Sequence, residues 1–563
     1  MSTVISVKAP QDFKVLIVYP NLTGMLVPSL AIALFTRVFK NAGYTVDLFD
    51  TTHYVADENS SPQNRVKFLQ ARKFDEKDDL GVRWKTDLVF DFVKKVEVFR
   101  PDFMIFSVVE DCFMQSVALL SSIEHLNIPH LVGGVFPTAA PQVVINNPYV
   151  KSVGIGEGEE LIYKMSEAIR QAQDYTKIPG TWHKDELGNI IKNSRGPVVN
   201  ISTVVPDFSL FDESRFYRPM GGKIFKTIPV ETYRGCPFAC TYCNSPMQNV
   251  LVRSEGIAPN FLRKKDVNIL RSEIKELILK FNPEFLYFID DSFTARPKNE
   301  VLEFCDMYEE FKIPFWFNTR PETTTPEVLQ RLKEVGAYRI SFGIESGNEQ
   351  FRKHVLKRNT TNLKLREYFD TFVRAGIPFS INLIIGFPGE TRELVMDTIR
   401  YVQTLEGYDT ITCSIFTPYH GTVLREVAIK NKWLDKDYIT KHTTSNSALH
   451  MPPPYLGPDD IDGIIRVITL MCYFPESEWE NLKRAETDDE EGNRLLRHYS
   501  EIYQNEFLKD FQEIKKFQLL DGASGCKSND LDGFRMFNPP KRIDEKDLAQ
   551  LKVSEDSFIQ MYH

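Results

Sequence analysis

Three of the eight cysteines in this 563-residue chain lie close together in the stretch RGCPFACTYCNSP, residues 234–246. Cys236, Cys240 and Cys243 have the spacing C-x3-C-x2-C, and the other five cysteines are scattered singly. A loop this short can place three thiolates around a cubane iron–sulfur cluster. Structural zinc sites and ferredoxin clusters take a fourth protein ligand, and no partner pair follows here. The spacing therefore predicts a cluster whose fourth iron is reserved for a substrate or cofactor.

The composition is that of an ordinary globular chain, with 42% hydrophobic residues and a net charge of −9. An acidic balance argues against non-specific nucleic-acid binding, which needs a basic face. The sequence contains no apolar run long enough to span a bilayer, and its first residues lack the features of a signal peptide. We therefore expect a cytoplasmic protein, in which clustered thiols serve metal binding or catalysis rather than disulfides.

Residues 1–170 alternate short apolar runs with helical patterns. The runs KVLIVYP (14–20), TVDLFD (45–50), DFMIFSVV (102–109), HLVGG (130–134) and KSVGIG (151–156) predict strands. Strands that alternate with helices indicate a parallel α/β sheet of the Rossmann-like, flavodoxin-like class, with ligands at the carboxyl ends of its strands. A polar insertion at about 55–85 interrupts the pattern, and such loops are often functional or mobile.

Residues 171–224 are predicted to be a linker that contains a small hairpin at 182–193. Residues 225–430 then repeat strand and helix about six times, which predicts a partial (β/α)6 barrel rather than a complete eightfold one. The cysteine stretch follows the first barrel strand, at the face where such barrels carry their chemistry. Residues 431–563 show no strand series; they predict a helical cap, with helices at 459–474 and 491–517, followed by a loosely packed tail.

The stretch GCPFACTYCN resembles the signature of the radical S-adenosylmethionine (SAM) superfamily. The resemblance implies that the open iron of a [4Fe–4S] cluster chelates SAM. It also implies that the reduced cluster cleaves SAM to a 5′-deoxyadenosyl radical, which abstracts hydrogen from the substrate. Tyr242 is then expected beside the adenine. In such enzymes the cofactors carry the difficult chemistry and the protein positions them.

Five further residues are expected near SAM because their surroundings resemble motifs of the same superfamily at successive strand ends. They are Asp290 in FIDDSF, Arg320 in FNTRPE, Glu345 in SFGIESG, Gly386 in LIIGFPGET and Pro418 in FTPYHGT. Simpler readings stay open at this stage: one aspartate of the acidic pair could cap a helix, Arg320 could form a surface ion pair, and Gly386 could serve a turn.

The first 170 residues resemble the cobalamin-binding domain that is fused to many radical SAM enzymes. The similarity is carried by YPN after the first strand and by SVVED (107–111), GGVFPT (133–138) and GIGEGEE (154–160). The candidate cobalamin contacts are Tyr19, Asn21, Ser107, Gly133, Gly134 and Glu157. The D-x-H-x-x-G motif with its cobalt-ligating histidine is missing, so the resemblance implies cobalamin without a histidine axial ligand. A plain α/β domain with glycine turns remains the alternative.

The combined resemblance implies an enzyme that uses a [4Fe–4S] cluster, SAM and cobalamin to methylate an unactivated carbon of a small molecule or lipid. A cobalamin-dependent cyclisation or rearrangement is the first alternative, and a non-catalytic cobalamin carrier or sensor is the second. The methylthiotransferases of this superfamily carry another three-cysteine cluster near the N-terminus, where this chain has only Cys112. The expected partners are SAM, the unknown substrate and an electron donor such as flavodoxin or ferredoxin, with no nucleic acid.

Residues 451–486 are similar to the C-terminal segment that caps the substrate cavity in many cobalamin-dependent radical SAM proteins. Its apolar residues Ile464, Ile465, Ile468 and Leu470 are expected to serve the core. The single thiols Cys472 and Cys526 are interpreted as ordinary cysteines rather than ligands of another cluster.

Overall fold

The structure is a computed structural model that describes residues 7–55, 63–70, 74–220, 223–441 and 446–507. Its N-terminal part forms a seven-stranded sheet in the order β2-β1-β3-β4-β5-β6-β7, in which the first five strands are parallel. The order 2-1-3-4-5 is that of flavodoxin-like sheets, which confirms the predicted class. The elements are β1 Lys14–Tyr19, α1 Leu30–Asn41, β2 Thr45–Asp50, α2 Gln63–Lys67, α3 Leu88–Phe99, β3 Phe103–Ser107, α4 Phe113–Ser122, β4 His130–Gly133, α5 Val135–Ala139, α6 Pro141–Asn146, β5 Ser152–Gly154, α7 Glu159–Arg170, β6 Thr181–Lys184 and β7 Ile190–Lys192.

Local sequence explains why these elements begin and end where they do. The four inner residues of β1 are buried, as expected for a central parallel strand that has helices on both faces. Ser29 caps α1 by accepting a hydrogen bond from the Ile32 amide, and Gly43 takes the left-handed conformation just after the helix. The hairpin predicted at 182–193 is present as β6 and β7, and it extends the edge of this sheet through antiparallel pairing of β6 with β5.

The second sheet has the order β16-β15-β14-β13-β12-β9-β8, with six parallel strands and the antiparallel β8 at one edge. Since β8 and β16 do not pair with each other, the six strand–helix units form the predicted partial barrel, with an open seam. Its elements are β8 Tyr217–Met220, β9 Lys223–Val230, β10 Tyr233–Arg234, α8 Ser245–Ser254, β11 Arg263–Lys264, α9 Val267–Phe281, β12 Phe285–Phe288, α10 Lys298–Tyr308, β13 Phe315–Thr319, α11 Pro326–Glu334, β14 Ala337–Glu345, α12 Glu349–His354, α13 Asn362–Ala375, β15 Phe379–Ile385, α14 Arg392–Gln403, β16 Tyr408–Ile415 and α15 Val423–Lys430.

The described part of the polar insertion covers the seam of the barrel. The side-chain oxygen of Gln70 accepts a hydrogen bond from the backbone N–H of Cys413 in β16 at 3.1 Å. On its other side, the Thr469 hydroxyl donates to the carbonyl of Phe68 at 3.2 Å. We call residues 63–70 the seam segment. In the sequence they lie between β2 and α3 of the N-terminal part, but they pack against the barrel.

The C-terminal part is helical, with α16 Pro458–Tyr473, α17 Trp479–Arg484 and α18 Glu490–Phe507. Helix α16 packs against α14 and β16, and Ile464, Ile465, Ile468 and Leu470 are all buried, as predicted. Cys472 is also buried in this helix. The remainder of the helix predicted at 491–517, the tail and Cys526 lie outside the described residues. No helix within the described ranges is both long and apolar enough to cross a membrane.

Candidate active site

The cysteine loop lies just beyond the carboxyl end of β9, between the small paired strands β10 and β11 and helix α8. Gly235 opens the loop with φ +97°, and a Cβ there would lie 2.7 Å from the carbonyl oxygen of Phe261, so only glycine fits. The Asn249 side chain donates to the carbonyl of Cys236 at 2.9 Å, and the Cys243 amide donates to the Cys240 carbonyl at 3.3 Å. The backbone therefore holds the three cysteines on one short turn.

All three cysteines of this loop are free thiols that line one cavity. Burial raises the pKa of Cys236 to about 11 and that of Cys243 to about 12, and the nearby Asp291 carboxylate acts in the same direction. Such thiols ionise at neutral pH only when a metal replaces their protons. Within the described ranges, no three His, Cys, Asp or Glu side chains are arranged to hold a single metal ion. This donor set suits a cluster, which spreads its ligands over several irons.

Arg320 is buried beside the cysteine loop. Its guanidinium lies 3.7 Å from the centre of the Phe238 ring and donates to the Cys240 sulfur at 3.7 Å. Its Nε also donates to Glu322 at 2.7 Å. The structure thus places a positive charge next to the sulfur ligands, while the expected SAM contact of Arg320 stays a prediction.

Tyr242, Glu345 and Arg358 form a buried group between the cysteine loop and the end of β14. The Tyr242 hydroxyl donates to Glu345 at 3.1 Å, and Arg358 donates to the same carboxylate oxygen at 3.1 Å. Burial raises the pKa of Glu345, and the charge of Arg358 opposes this rise. Glu345 also has φ +63°, a conformation that non-glycine residues seldom adopt. Sequence reasoning missed Arg358, because an arginine in the polar stretch KRNT gives no sign of burial.

The two aspartates after β12 have different roles. The carboxylate of Asp290 accepts hydrogen bonds from the backbone of Thr232 at 2.7 Å and of Tyr233 at 3.1 Å, and it pairs with Arg296 at 3.6 Å. It therefore ties the end of β9 to β12. Asp291 accepts a hydrogen bond from Ser245 at 2.6 Å and faces the thiols. Both line the large cavity, so the SAM contact expected of Asp290 stays a prediction alongside this structural role.

Gly386 and Pro418 contact protein rather than open space. A Cβ on Gly386 would lie 2.9 Å from the Ile461 side chain of α16, and the Gly386 amide donates to Glu390 at 2.6 Å. The Pro418 carbonyl accepts from Arg425 at 2.7 Å. Neither residue is among those that line the two cavities near the cysteines. The glycine requirement at 386 is thus explained by the C-terminal helix.

The cysteines open into a cavity of about 1010 Å³ between the two sheets. Tyr242, Glu345, Arg320 and both aspartates line it on the barrel side. Tyr19, the last residue of β1, and Asn21 in the following loop line it from the first sheet. An adjoining, mainly apolar cavity of about 340 Å³ shares Tyr242 and Cys243 and is completed by residues of β15 and β16, among them Ile384 and Ile415. The structure thus brings to one space the predicted barrel residues other than Gly386 and Pro418, together with two predicted residues of the first sheet.

The remaining candidates of the first sheet lie outside the residues that line this cavity. Ser107 and Gly133 are neighbours at the ends of β3 and β4. A Cβ on Gly134 would lie 2.4 Å from the Val108 carbonyl, so close packing of the loop demands glycine there, whereas a Cβ on Gly133 would meet nothing nearer than 4.0 Å. Glu157 pairs with Arg234 at 2.6 Å and also with Arg263. Their cobalamin contacts stay predictions.

A second connection between the sheets escaped sequence reasoning. Glu110, which follows β3, accepts hydrogen bonds from the His420 amide at 2.9 Å and from the Thr440 amide at 2.8 Å. The neighbouring Asp111 accepts from the Tyr419 hydroxyl at 2.9 Å. These bonds fix the loop after β16 against the first sheet, close to the smaller cavity. Only the three-dimensional meeting of two distant segments reveals them.

A comparison with known protein families identifies the type of barrel. The sequence profile described as "Radical SAM superfamily" matches residues 230–402, which contain the cysteine loop and the strands from the end of β9 to β15. The chain thus contains a radical SAM domain. This domain implies a [4Fe–4S] cluster and SAM, and the three thiols and the cavity described above fit both.

Two curated relatives match most of the length of this chain. It is 27% identical over 395 residues to "Uncharacterized methyltransferase PH0819" of Pyrococcus horikoshii, a match that spans 69% of this chain and 82% of the relative. It is also 22% identical over 495 residues to the anaerobic magnesium-protoporphyrin IX monomethyl ester cyclase of Rubrivivax gelatinosus, across 84% of this chain and 83% of the cyclase.

A solved structure has a fold similar to that of most of this chain. The radical SAM methyltransferase TsrM from Kitasatospora setae, whose structure has cobalamin and a [4Fe–4S] cluster bound, superposes with a TM-score of 0.54. The sequence identity is 15%, and the match covers 82% of this chain and 86% of TsrM. At this identity the likeness concerns the fold, which therefore includes the first sheet as well as the barrel.

Proposed function

We propose that this radical SAM enzyme uses cobalamin to methylate an unactivated carbon of a small molecule or lipid. The observation that carries the proposal is the single cavity of about 1010 Å³, which joins the cysteine loop to the carboxyl end of the first sheet. Cofactors held on its two sides would lie within reach of one substrate, and such proximity is a large source of rate enhancement. The methyltransferase relative and the cobalamin-bound structural neighbour support the same reading.

The residues around the cysteines suit the cluster and SAM. Cys236, Cys240 and Cys243 would hold the cluster, and the Tyr242 ring faces the apolar side cavity, which suits an adenine. Glu345 would present its carboxylate to SAM, in an orientation fixed by Arg358. When bound, the cluster and SAM supply the 5′-deoxyadenosyl radical and cobalamin supplies the methyl group. The seam segment shields this space from water along the open edge of the barrel.

The loop after β1 suits cobalamin without a histidine ligand. Tyr19 and Asn21 face the large cavity, and the Asn21 side chain is fixed by donating to the Thr52 hydroxyl at 2.8 Å. His53, which follows β2, contacts Ser214 at 3.2 Å and lines a different cavity. The room beside Gly133 would let the cofactor's tail pass close to the backbone.

A cyclisation or rearrangement is the second candidate function, because the cyclase relative spans more of this chain than the methyltransferase relative does. Both candidates use the same cavity and differ in the fate of the substrate radical. A non-catalytic cobalamin carrier or sensor is disfavoured, since such a protein has no use for the three cysteines. An external electron donor such as flavodoxin or ferredoxin and a cytoplasmic location complete the proposal.

The proposal is tested by anaerobic reconstitution with iron, sulfide and hydroxocobalamin, followed by incubation with methyl-deuterated SAM and a cell extract. We expect 5′-deoxyadenosine together with a product that carries the labelled methyl group. Retained cobalamin and 5′-deoxyadenosine without a labelled product would favour cyclisation or rearrangement. Absence of 5′-deoxyadenosine under strong reductant would refute both enzymatic readings, and failure to retain cobalamin would refute the role of the first sheet.

A further inference from the structure

The barrel wall of the large cavity carries an arginine on an aromatic platform. The rings of Tyr287 in β12 and Trp316 in β13 stack with their centres 4.2 Å apart. The guanidinium of Arg218, from the edge strand β8, lies 4.8 Å from the centre of the Trp316 ring and 5.2 Å from that of Tyr287. The platform contacts the guanidinium itself, and Arg218 lines the large cavity, where its N–H groups remain available.

A second arginine enters the same cavity from the seam segment. Arg65, in α2, lines both the large cavity and the apolar side cavity. Burial lowers the pKa of Arg65, and it lowers that of Arg218 as well. Arg65 and Arg218 line the same large cavity, and the charge of Arg65 further lowers the pKa of Arg218.

The other charged groups of this cavity already have partners. They form the pairs Arg339–Asp409, Arg320–Glu322, Arg358–Glu345 and Arg296–Asp290. Of the two other carboxylates that line it, Asp291 accepts from Ser245 and Asp79 accepts from the Asp75 amide. Among the residues that the structure describes, no carboxylate lies within 4.0 Å of the guanidinium nitrogens of Arg65 or Arg218.

Two half-buried cations without an anion are costly, since each has given up part of its water and gained no charged partner. Planar guanidinium groups bind the oxygen atoms of carboxylates and phosphates in pairs, with charge-assisted hydrogen bonds. Hydroxyl groups surround the same part of the wall: Ser341 accepts from Trp316 Nε1 at 2.8 Å and lies 2.7 Å from the Ser380 hydroxyl. The wall thus offers donors where an anion would sit.

We propose that the substrate carries an oxyanion, either a carboxylate or a phosphate, which Arg65 and Arg218 bind together inside the barrel. This inference rests on the proposed function for the idea that the cavity holds the substrate. The anion would anchor one end of the molecule against β12 and β13, and the carbon that reacts would point toward the cysteine loop. Arg65 comes from the seam segment, so the first sheet's insertion would contribute to substrate selection as well as to closure.

The test is direct anion binding to the reconstituted enzyme saturated with SAM, measured calorimetrically with inorganic phosphate and with succinate. We expect one of the two probes to bind, and we expect Arg65→Gln and Arg218→Gln each to weaken that binding about tenfold or more, as loss of a charged hydrogen bond predicts. Arg331→Gln, at a surface arginine, is the matched control and should bind as the unaltered enzyme does. Phosphate binding alone would identify a phosphorylated substrate, and succinate binding alone a carboxylic acid.

Three results would overturn the inference: no binding of either probe, equal binding by the two glutamine variants and the control, or binding that a parallel titration without SAM detects and the SAM-saturated enzyme lacks. The last would assign the arginines to the SAM carboxylate. Each variant is first checked for unchanged cluster absorbance and circular dichroism, so that misfolding is recognised.

The charge of the labelled product from the functional assay is an independent test of the inference. A product retained by an anion-exchange resin at neutral pH supports the inference, whereas a neutral product overturns it and leaves methylation intact. Anion binding that depends on both arginines, in an enzyme that yields no methylated product, would uphold the inference and refute the proposed function. The two failures are therefore distinguishable.

Discussion

The hydroxyl of Tyr242 donates a hydrogen bond to the carboxylate of Glu345 at 3.1 Å, across the gap between the cysteine loop and the end of β14. Arg358 donates both to that carboxylate and to the Tyr242 oxygen, each at 3.1 Å. The three side chains form a closed group, so the position of the ring beside the thiols depends on a strand that lies more than a hundred positions further along the chain.

Substitutions at Tyr242 separate the ring from the hydroxyl. If the ring contacts adenine, Tyr242→Ala should weaken SAM binding about tenfold or more, because one base-to-aromatic contact is lost. Tyr242→Phe keeps the ring and should bind SAM nearly as the unaltered enzyme does, at a cost in stability of about 1 kcal/mol for the lost hydrogen bond. Equilibrium binding to the reconstituted enzyme measures both. An alanine variant with normal affinity would contradict the adenine contact.

Replacement of any cysteine of the loop should abolish the cluster. Cys236→Ala, Cys240→Ala and Cys243→Ala each remove one of three thiolates, and we expect loss of bound iron and of 5′-deoxyadenosine formation after reconstitution. Cys305→Ala is the control, because this thiol is buried in the core away from the loop. The bound iron and sulfide of each variant are measured. A variant that still binds a complete cluster would rule out the replaced cysteine as a ligand.

Arg320 should raise the reduction potential of the cluster. Its positive charge lies against the Cys240 sulfur and stabilises the more negative, reduced state. Loss of about 1 kcal/mol in Arg320→Gln corresponds to a fall of about 40 mV for a one-electron couple. A redox titration followed by electron paramagnetic resonance provides the measurement. An unchanged or higher potential would show that the guanidinium serves packing alone.

The ion pairs of Arg234 should hold the two sheets together. Arg234 directly precedes the cysteine loop and pairs with Glu157 and Glu159 of the first sheet and with Glu231. Arg234→Met leaves the carboxylates of Glu159 and Glu231 without their ion-pair partner, while Glu157 keeps Arg263, and should lower the free energy of unfolding by about 3 to 5 kcal/mol.

Arg331 provides the matched comparison for Arg234, because it also contacts three acidic side chains, but on the surface. Arg331→Met should cost about 1 kcal/mol or less. Urea unfolding of both variants measures the two losses of stability. Similar losses would show that the ion pairs of Arg234 stabilise the fold no more than surface ion pairs do.

Glu390 should make the stability depend on pH. Burial raises its pKa from an ordinary 4.5 to about 8, against the opposing hydrogen bonds from the Gly386 and Phe387 amides. The folded chain therefore keeps a proton that the unfolded chain loses, so stability is full below about pH 4.5 and falls as the pH rises toward 8. Glu390→Gln should remove this fall and gain up to about 4 kcal/mol over the unaltered chain at pH 8. Equal pH profiles of the two proteins would disprove the shift.

The sequence was most informative where chemistry or burial restricts the residue types. Apolar runs such as 14–19 predicted the strands, because a central parallel strand must be apolar on both faces. The cysteine spacing predicted the position and donor set of the cluster site. Gly134 and Gly386 were predicted as cofactor contacts, and only the structure shows that the Val108 backbone and the Ile461 side chain lie where a Cβ on these residues would be.

Contacts between distant polar segments could not be predicted. Arg65 and Gln70 lie in a polar insertion that has no helical or strand period of note, and Arg358 lies in a stretch of charged residues. Gln70 is buried because the insertion packs against the barrel, and Arg358 is buried because it bonds to Tyr242 and Glu345. Polar residues of this kind look exposed in a sequence, since their burial depends on partners outside their own segment.

The hydrogen bond from Cys413 to Gln70 joins residues that are 343 positions apart. A ribosome releases the seam segment long before it releases β16, and the cysteine loop emerges between the two. While the chain is being made, the side of the cavity therefore stays open with the thiols already present. Contacts of such long range also form late in folding. The protein consequently has a stage in its biosynthesis at which iron and sulfide can reach the cysteines from the side that the mature fold closes.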